Sequence, residues 1–222
     1  MKRTGFLDCF MPRALAGRPG PAPSVPGMTG VLGTGPGVGV THLSILLAVY
    51  LRAARRRRAA LLELGDGGDF RRILEFGAGR QLARRELEYG FPFCGITWFP
   101  EAGSDTIAFC LSGHFQELIL DLGHGFDSGK ADFLRCRRRI LVGSASEWRQ
   151  EAFLKVLAEN RRACRGDWSV LAAFGNGESL AEIEAQLRVR VGRIPFWPDP
   201  FHITGDMMVF LEHLINPRGR QL

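Results

Sequence analysis

The segment Gly33-Thr34-Gly35-Pro36-Gly37-Val38-Gly39-Val40-Thr41-His42 restricts the fold more than any other stretch of this chain. Its four glycines alternate with small residues directly after the apolar pair Val31-Leu32. A strongly apolar segment, Leu43 to Leu51, follows at once and reads as a helix. Strand, glycine loop and helix in that order aim backbone N–H groups and the positive end of a helix at one point, where an anion is held. A complete phosphate loop reads G-x-x-x-x-G-K-[ST], and its lysine reaches the outer phosphates. Here Gly39 is followed by Val40 and then Thr41, so the threonine is present and the lysine is missing.

Charge composition sharpens that loss. The net charge is +6, and of 29 basic residues only Lys2, Lys130 and Lys155 are lysines. In so arginine-rich a chain the expected replacement for a lysine is arginine, yet Val40 is apolar and removes the point charge outright. The 222 residues suit one domain. No apolar run reaches the roughly 18 residues of a membrane span. Asp8, Pro12 and Arg13 interrupt the start of the chain, so a secretory leader is not expected. The five cysteines are scattered without a C-x-x-C pair, which suits reduced, mostly buried thiols and excludes a metal cluster.

Residues 1–29 hold Pro12, Pro19, Pro21, Pro23 and Pro26 among several glycines and read as a flexible extension. Residues 30–216 form the expected domain, and 217–222 a tail. Strand-like runs appear at Ala59–Leu64, Cys94–Phe99, Leu118–Leu122, Arg139–Gly143, Trp168–Phe174 and Val191–Ile194. Between them lie helix-like stretches at 69–88, 146–162, 178–189 and 205–215, the second with Ser144 and Glu147 spaced as a capping box. The alternation predicts a single-domain α/β fold, a mostly parallel sheet with helices on both faces.

Such a sheet gathers ligands at the carboxyl ends of its strands. Three segments fall there: the glycine loop, Glu63–Asp69, and Asp121 at the end of an apolar run, the usual position of an acid that holds magnesium. A dinucleotide-binding G-x-G-x-x-G fits poorly. Its third glycine falls on Val38 or Val40, and the acid Glu63 lies too far along the chain.

Taken together, these segments resemble the deviant-Walker ATPases of the MinD/ParA family, whose loop is similar to K-G-G-V-G-K-T-T. Residues Gly35 to His42 lie on it without a gap, and Gly37, Val38, Gly39 and Thr41 match. Glu63 to Asp66 resembles the family's D-x-D segment, Leu118–Asp121 its Walker B strand, and Ile194-Pro195-Phe196 its late I-P segment near the adenine pocket. The resemblance spans nearly all of 30–215. It implies a P-loop NTPase fold and an ATP or ADP site at Gly35, Pro36, Gly37, Val38, Gly39, Val40, Thr41 and His42. It further implies magnesium on Thr41 and Asp121, a protein partner, and face-to-face homodimers as in many members.

The departures matter as much. The signature lysine falls on Gly35, the second lysine on Val40, and the water-positioning acid on Gly65, leaving Glu63 and Asp66 as the candidate catalytic carboxylates. Losing such groups costs on the order of 3 kcal/mol each in turnover. The expectation is a degenerate member, a cytoplasmic positioning or assembly factor, peripheral to the membrane in some settings, with weak or no nucleotide binding and hydrolysis. It resembles the pilus and secretion localisation factors of the TadZ/CpaE type. A slow ATPase that draws cations from outside the loop, with Arg71 or Arg72 as sources, is the alternative. Nonspecific DNA binding through the arginine clusters is the third reading, and Arg55–Arg58 would serve either DNA or a membrane surface. His42 reads primarily as a packing residue at the helix start. Trp98, Trp148, Trp168 and Trp197 read as core or interface anchors, and the Met207–Ile215 face as docked on the core.

Overall fold

The computed structural model describes residues 25–216. The elements in chain order are β1 (Gly27–Gly33), α1 (Val40–Ala53), β2 (Ala59–Glu63), α2 (Asp69–Ala78), α3 (Arg84–Tyr89), β3 (Phe91–Phe93), β4 (Ile96–Phe99), α4 (Ser104–Ser112), β5 (Glu117–Asp121), α5 (Phe126–Arg135), β6 (Arg138–Ser144), α6 (Glu151–Glu159), α7 (Arg161–Gly166), β7 (Trp168–Phe174), α8 (Gly177–Leu187), β8 (Gly192–Arg193) and α9 (Gly205–Ile215). The sheet runs β3-β4-β2-β5-β1-β6-β7-β8. All pairings are parallel except β3 with β4.

Continuous apolar runs form the central strands because both faces of the sheet are covered. Val31, Leu61, Ile119 and Val142 point into one core, which α1 and α9 complete. Leu32, Leu62, Leu120 and Leu141 point into the other, together with Phe133, Phe153 and Trp168. Helix α1 buries residues around its whole circumference, Leu46, Leu47 and Ala48 completely. The last helix docks on α1 through Met207, Leu211 and Leu214, and Tyr50 donates a hydrogen bond to Glu212. Among the described residues no helix is long and apolar enough to cross a membrane.

Several elements depart from the sequence reading. Strand β1 begins at Gly27, so residues 27–29 of the expected extension belong to the sheet, while residues 1–24 and 217–222, with Cys9, lie outside the described residues. The run Cys94–Phe99 is half turn. Cys94 and Gly95 both take positive φ, 50° and 71°, as a two-residue hairpin turn requires, and set Phe93 opposite Ile96 on the antiparallel edge. The helix expected over 146–162 starts at Glu151 and breaks at Asn160. Ser144 is the last residue of β6, and its hydroxyl accepts from Ser146 N at 3.2 Å, which closes a turn and leaves no capping box. Trp98 and Trp168 are core residues and Trp197 is half-buried, whereas Trp148 is 82% exposed.

Candidate functional site

Strand register assembles the site. Strand β5 lies between β1 and β2, and Asp121 is level with both Val31 and Glu63. The three segments singled out in the sequence therefore end at one edge. Main-chain bonds lock them there: Gly33 N to Gly123 O at 2.8 Å, Leu64 N to Asp121 O at 2.8 Å, and Leu122 N to Val31 O at 3.0 Å.

The glycine loop opens a cavity of about 750 Å³ at this edge. Gly37 (φ 69°) and Gly39 (φ 89°) are left-handed, a conformation that side chains resist, which explains glycine at both. Gly39 also occupies the N-cap of α1, where it offers no capping side chain. The first-turn N–H groups thus face the cavity, as an anion site needs. Gly35, Gly37, Val38, Gly39, Val40, Thr41 and His42 all line it; Pro36 is not among its lining residues.

Val40 stands where the loop lysine would be. Its side chain is 6% exposed and joins the core beside Val38 and Leu43. His42, two residues on, is half-buried. Burial holds its pKa below the ordinary value, against a hydrogen bond with the Trp197 backbone that pins the 194–201 segment to the start of α1. His42 also lines the cavity, and its Nε2 is buried without a partner among the described residues.

Asp121 is 2% exposed. Its Oδ1 accepts from Gly123 N at 3.0 Å, while Oδ2 is buried without a partner among the described residues. Burial drives its pKa upward, opposed by Gly123 N–H and the Thr41 side chain. A buried carboxylate oxygen with an open valence next to a helix-start threonine fits a magnesium ion. Of the two candidate catalytic carboxylates, Glu63 is committed elsewhere. Its Oε1 accepts from Asp69 N at 2.8 Å and its Oε2 from Phe70 N at 3.2 Å, so it caps α2. Burial pushes its pKa up to about 7, with Asp121 adding to the rise. Asp66 is exposed on the cavity rim.

Gly65, the position to which the sequence resemblance assigns a water-positioning acid, has no room for a side chain. A Cβ there would lie 2.9 Å from Gly123 Cα and 3.1 Å from Gly123 N. Backbone meets backbone, and neither side can swing away. At Gly35 a Cβ would meet nothing within 4 Å.

The charge balance of the cavity is negative. Glu63, Asp66, Asp69, Asp121 and Asp132 line it, and no lysine or arginine does. Arg71 and Arg72 do not supply the missing charge. Arg71 is paired with Glu75 (3.0 Å) and Glu101 (3.3 Å), and Arg72 with Asp69 (2.9 Å). The arginine that does reach the loop is Arg149, whose Nη2 donates to Pro36 O at 2.5 Å. Sequence reasoning missed it because 113 residues separate the partners. The arginines near 55–58 lie at the opposite, amino edge of the sheet, where Arg138, Arg57, Arg137 and Arg55 surround buried Glu117.

Loop, sheet order and acid position together define a P-loop-type α/β protein. No protein-family model and no curated protein matches the sequence. Solved structures do match. MinD from Aquifex aeolicus superposes with a TM-score of 0.60 at 14% identity, over 88% of this chain and 98% of that one. A Borrelia burgdorferi plasmid partition protein bound to AMPPNP gives 0.55 at 13% identity, covering 89% and 99%. Cobyrinic acid a,c-diamide synthase from Mycobacterium smegmatis, with bound ADP and magnesium, gives 0.55 at 16%, covering 88% and 96%. The chain has the fold of the MinD/ParA-type ATPases.

Proposed function

We propose that this chain is a degenerate MinD/ParA-like protein, a cytosolic positioning or assembly factor that binds adenine nucleotide with magnesium weakly and hydrolyses it little or not at all. The observation that supports this most is the closed space at Gly65, which leaves no place for a water-positioning carboxylate. Val40, turned into the core, removes a second part of the machinery. What remains is suited to holding: loop N–H groups for phosphate oxygens, and Thr41 and Asp121 as the residues that would hold magnesium. Bound magnesium would supply the positive charge that phosphate oxygens need in so acidic a cavity. MinD from Aquifex aeolicus has been solved in a MinC:MinD complex. By analogy we assign this chain a protein partner and the capacity to form a homodimer, in a role of the pilus- or secretion-localisation kind. Any DNA or anionic-lipid contact belongs to the arginines around Glu117, at the edge away from the cavity.

Calorimetric titration with ATP tests the holding function. Binding in magnesium, reduced in EDTA, is the expected result; no heat in either condition ends the nucleotide reading. The second reading, a slow ATPase, draws its support from Arg149, a cation that approaches the loop from outside it.

A further inference from the structure

We propose that Arg149 is the phosphate-binding cation of this site, reaching over the glycine loop from the end of β6 instead of rising from within the loop; the inference rests on the nucleotide reading above.

Strand β6 is the neighbour of β1 on the side away from β5. Beyond Ser144 the chain makes a compact turn, tied by Ala145 N to Phe174 O (2.8 Å), Ser146 N to Ser144 Oγ (3.2 Å) and Arg149 N to Ser146 O (2.8 Å). That turn delivers Arg149 to the loop. Besides its bond to Pro36 O, the Nη2 atom stands 3.9 Å from where a Cβ on Gly37 would be, so the guanidinium lies over the middle of the loop.

Two features distinguish this arginine from an ordinary surface one. It is exposed and, among the described residues, makes no ion pair; Arg161 and Arg193 likewise bond only a carbonyl, to Leu187 O and Gly175 O, but Arg149 does so on the glycine loop itself. A guanidinium has five N–H donors, and a neutral carbonyl engages one. The second feature is the need it meets. Asp69 and Asp132 are paired with Arg72 and Arg135, but Glu63, Asp66 and Asp121 line the cavity with no arginine partner among the described residues and no lysine or arginine lines it, so a nucleoside di- or triphosphate would arrive in a field of its own sign. Magnesium, which Thr41 and Asp121 would hold, would offset that on one side. Arg149 stands above the loop itself, and its fork matches phosphate oxygens bidentately. It would exchange the Pro36 carbonyl for a charged acceptor.

The test is equilibrium titration of the full chain with Mg-ATP, Mg-ADP and AMP, comparing wild type with Arg149→Ala and Arg149→Lys. Thermal melts establish that each variant is folded. The expected result is a loss of about 10- to 100-fold in ATP and ADP affinity for Arg149→Ala, the range of a charge-assisted hydrogen bond. AMP should change less than about twofold, and Arg149→Lys should fall between. ATP affinity of Arg149→Ala within about twofold of wild type overturns the proposal while leaving the nucleotide reading in place. An equal loss for AMP and ATP also overturns it, since that pattern reports a propped loop and no phosphate contact. Wild type that binds no ATP overturns the nucleotide reading itself, and this inference with it.

Discussion

Replacing Glu63 by glutamine should flatten a pH dependence that the wild-type fold carries. The Glu63 side chain is 4% exposed, and burial raises its pKa from 4.5 to about 7. A carboxyl that binds its proton more tightly when folded stabilises the fold fully below pH 4.5. That contribution is lost as pH rises through about 7. At 1.36 kcal/mol per pH unit the loss is roughly 3 kcal/mol. Asp121 shifts in the same direction and half-buried Glu86, paired with Arg80, in the opposite one. The informative quantity is therefore the difference between wild type and Glu63→Gln, in which the other groups largely cancel. Glutamine keeps one acceptor for Asp69 N or Phe70 N and loses the other, so the variant starts from a pH-independent deficit of about 1 kcal/mol. Urea denaturation followed by far-UV circular dichroism between pH 4.5 and 8 supplies the curve. Wild type should lead by about 1 kcal/mol at pH 4.5, and the difference should move by roughly 3 kcal/mol by pH 8, so that the variant ends about 2 kcal/mol ahead. A difference that stays flat to within about 1 kcal/mol would refute the claim that Glu63 is a desolvated cap.

Gly65→Ala should destabilise the fold by about 1–3 kcal/mol in urea, because its Cβ meets Gly123 backbone. Gly35→Ala, with nothing within reach, should stay within about 0.5 kcal/mol, and equal costs at both sites would remove the steric argument. Asp121→Asn should leave the nucleotide-free protein at least as stable as wild type, since it discharges a buried carboxylate whose Oδ2 has no partner among the described residues. The same substitution should abolish the magnesium dependence of ATP binding measured by calorimetry; unchanged magnesium dependence would remove Asp121 from the site.

The fold was legible where one local signal decided it. The glycine loop between Val31-Leu32 and the apolar run Leu43–Leu51 fixed β1 and α1, and the apolar runs at 59–64, 118–122 and 168–174 marked buried parallel strands. Their convergence was legible too, because parallel strands place their carboxyl ends together, and Asp121 does stand level with Glu63. The hairpin at Cys94-Gly95 was not, since a positive-φ cysteine carries no turn signature and the run CGITWF reads as one strand. Helix α6 was set too early because Ser144 and Glu147 have capping-box spacing while Ser144 is still in the sheet. Glu63 read as a catalytic candidate because its task, capping α2 across a loop, depends on where the chain returns. The clash at Gly65 and the reach of Arg149 to Pro36 are contacts between distant segments, which no window on the sequence contains.

In the function proposed for it, this chain keeps the geometry for holding nucleotide and lacks the groups for turning it over. Phosphate release at saturating ATP and magnesium, measured on wild type beside Asp121→Ala, tests that function most directly. Wild type should bind ATP, and phosphate release should stay at the background rate in both proteins. Wild-type turnover above background that disappears in Asp121→Ala would overturn that reading in favour of the slow ATPase.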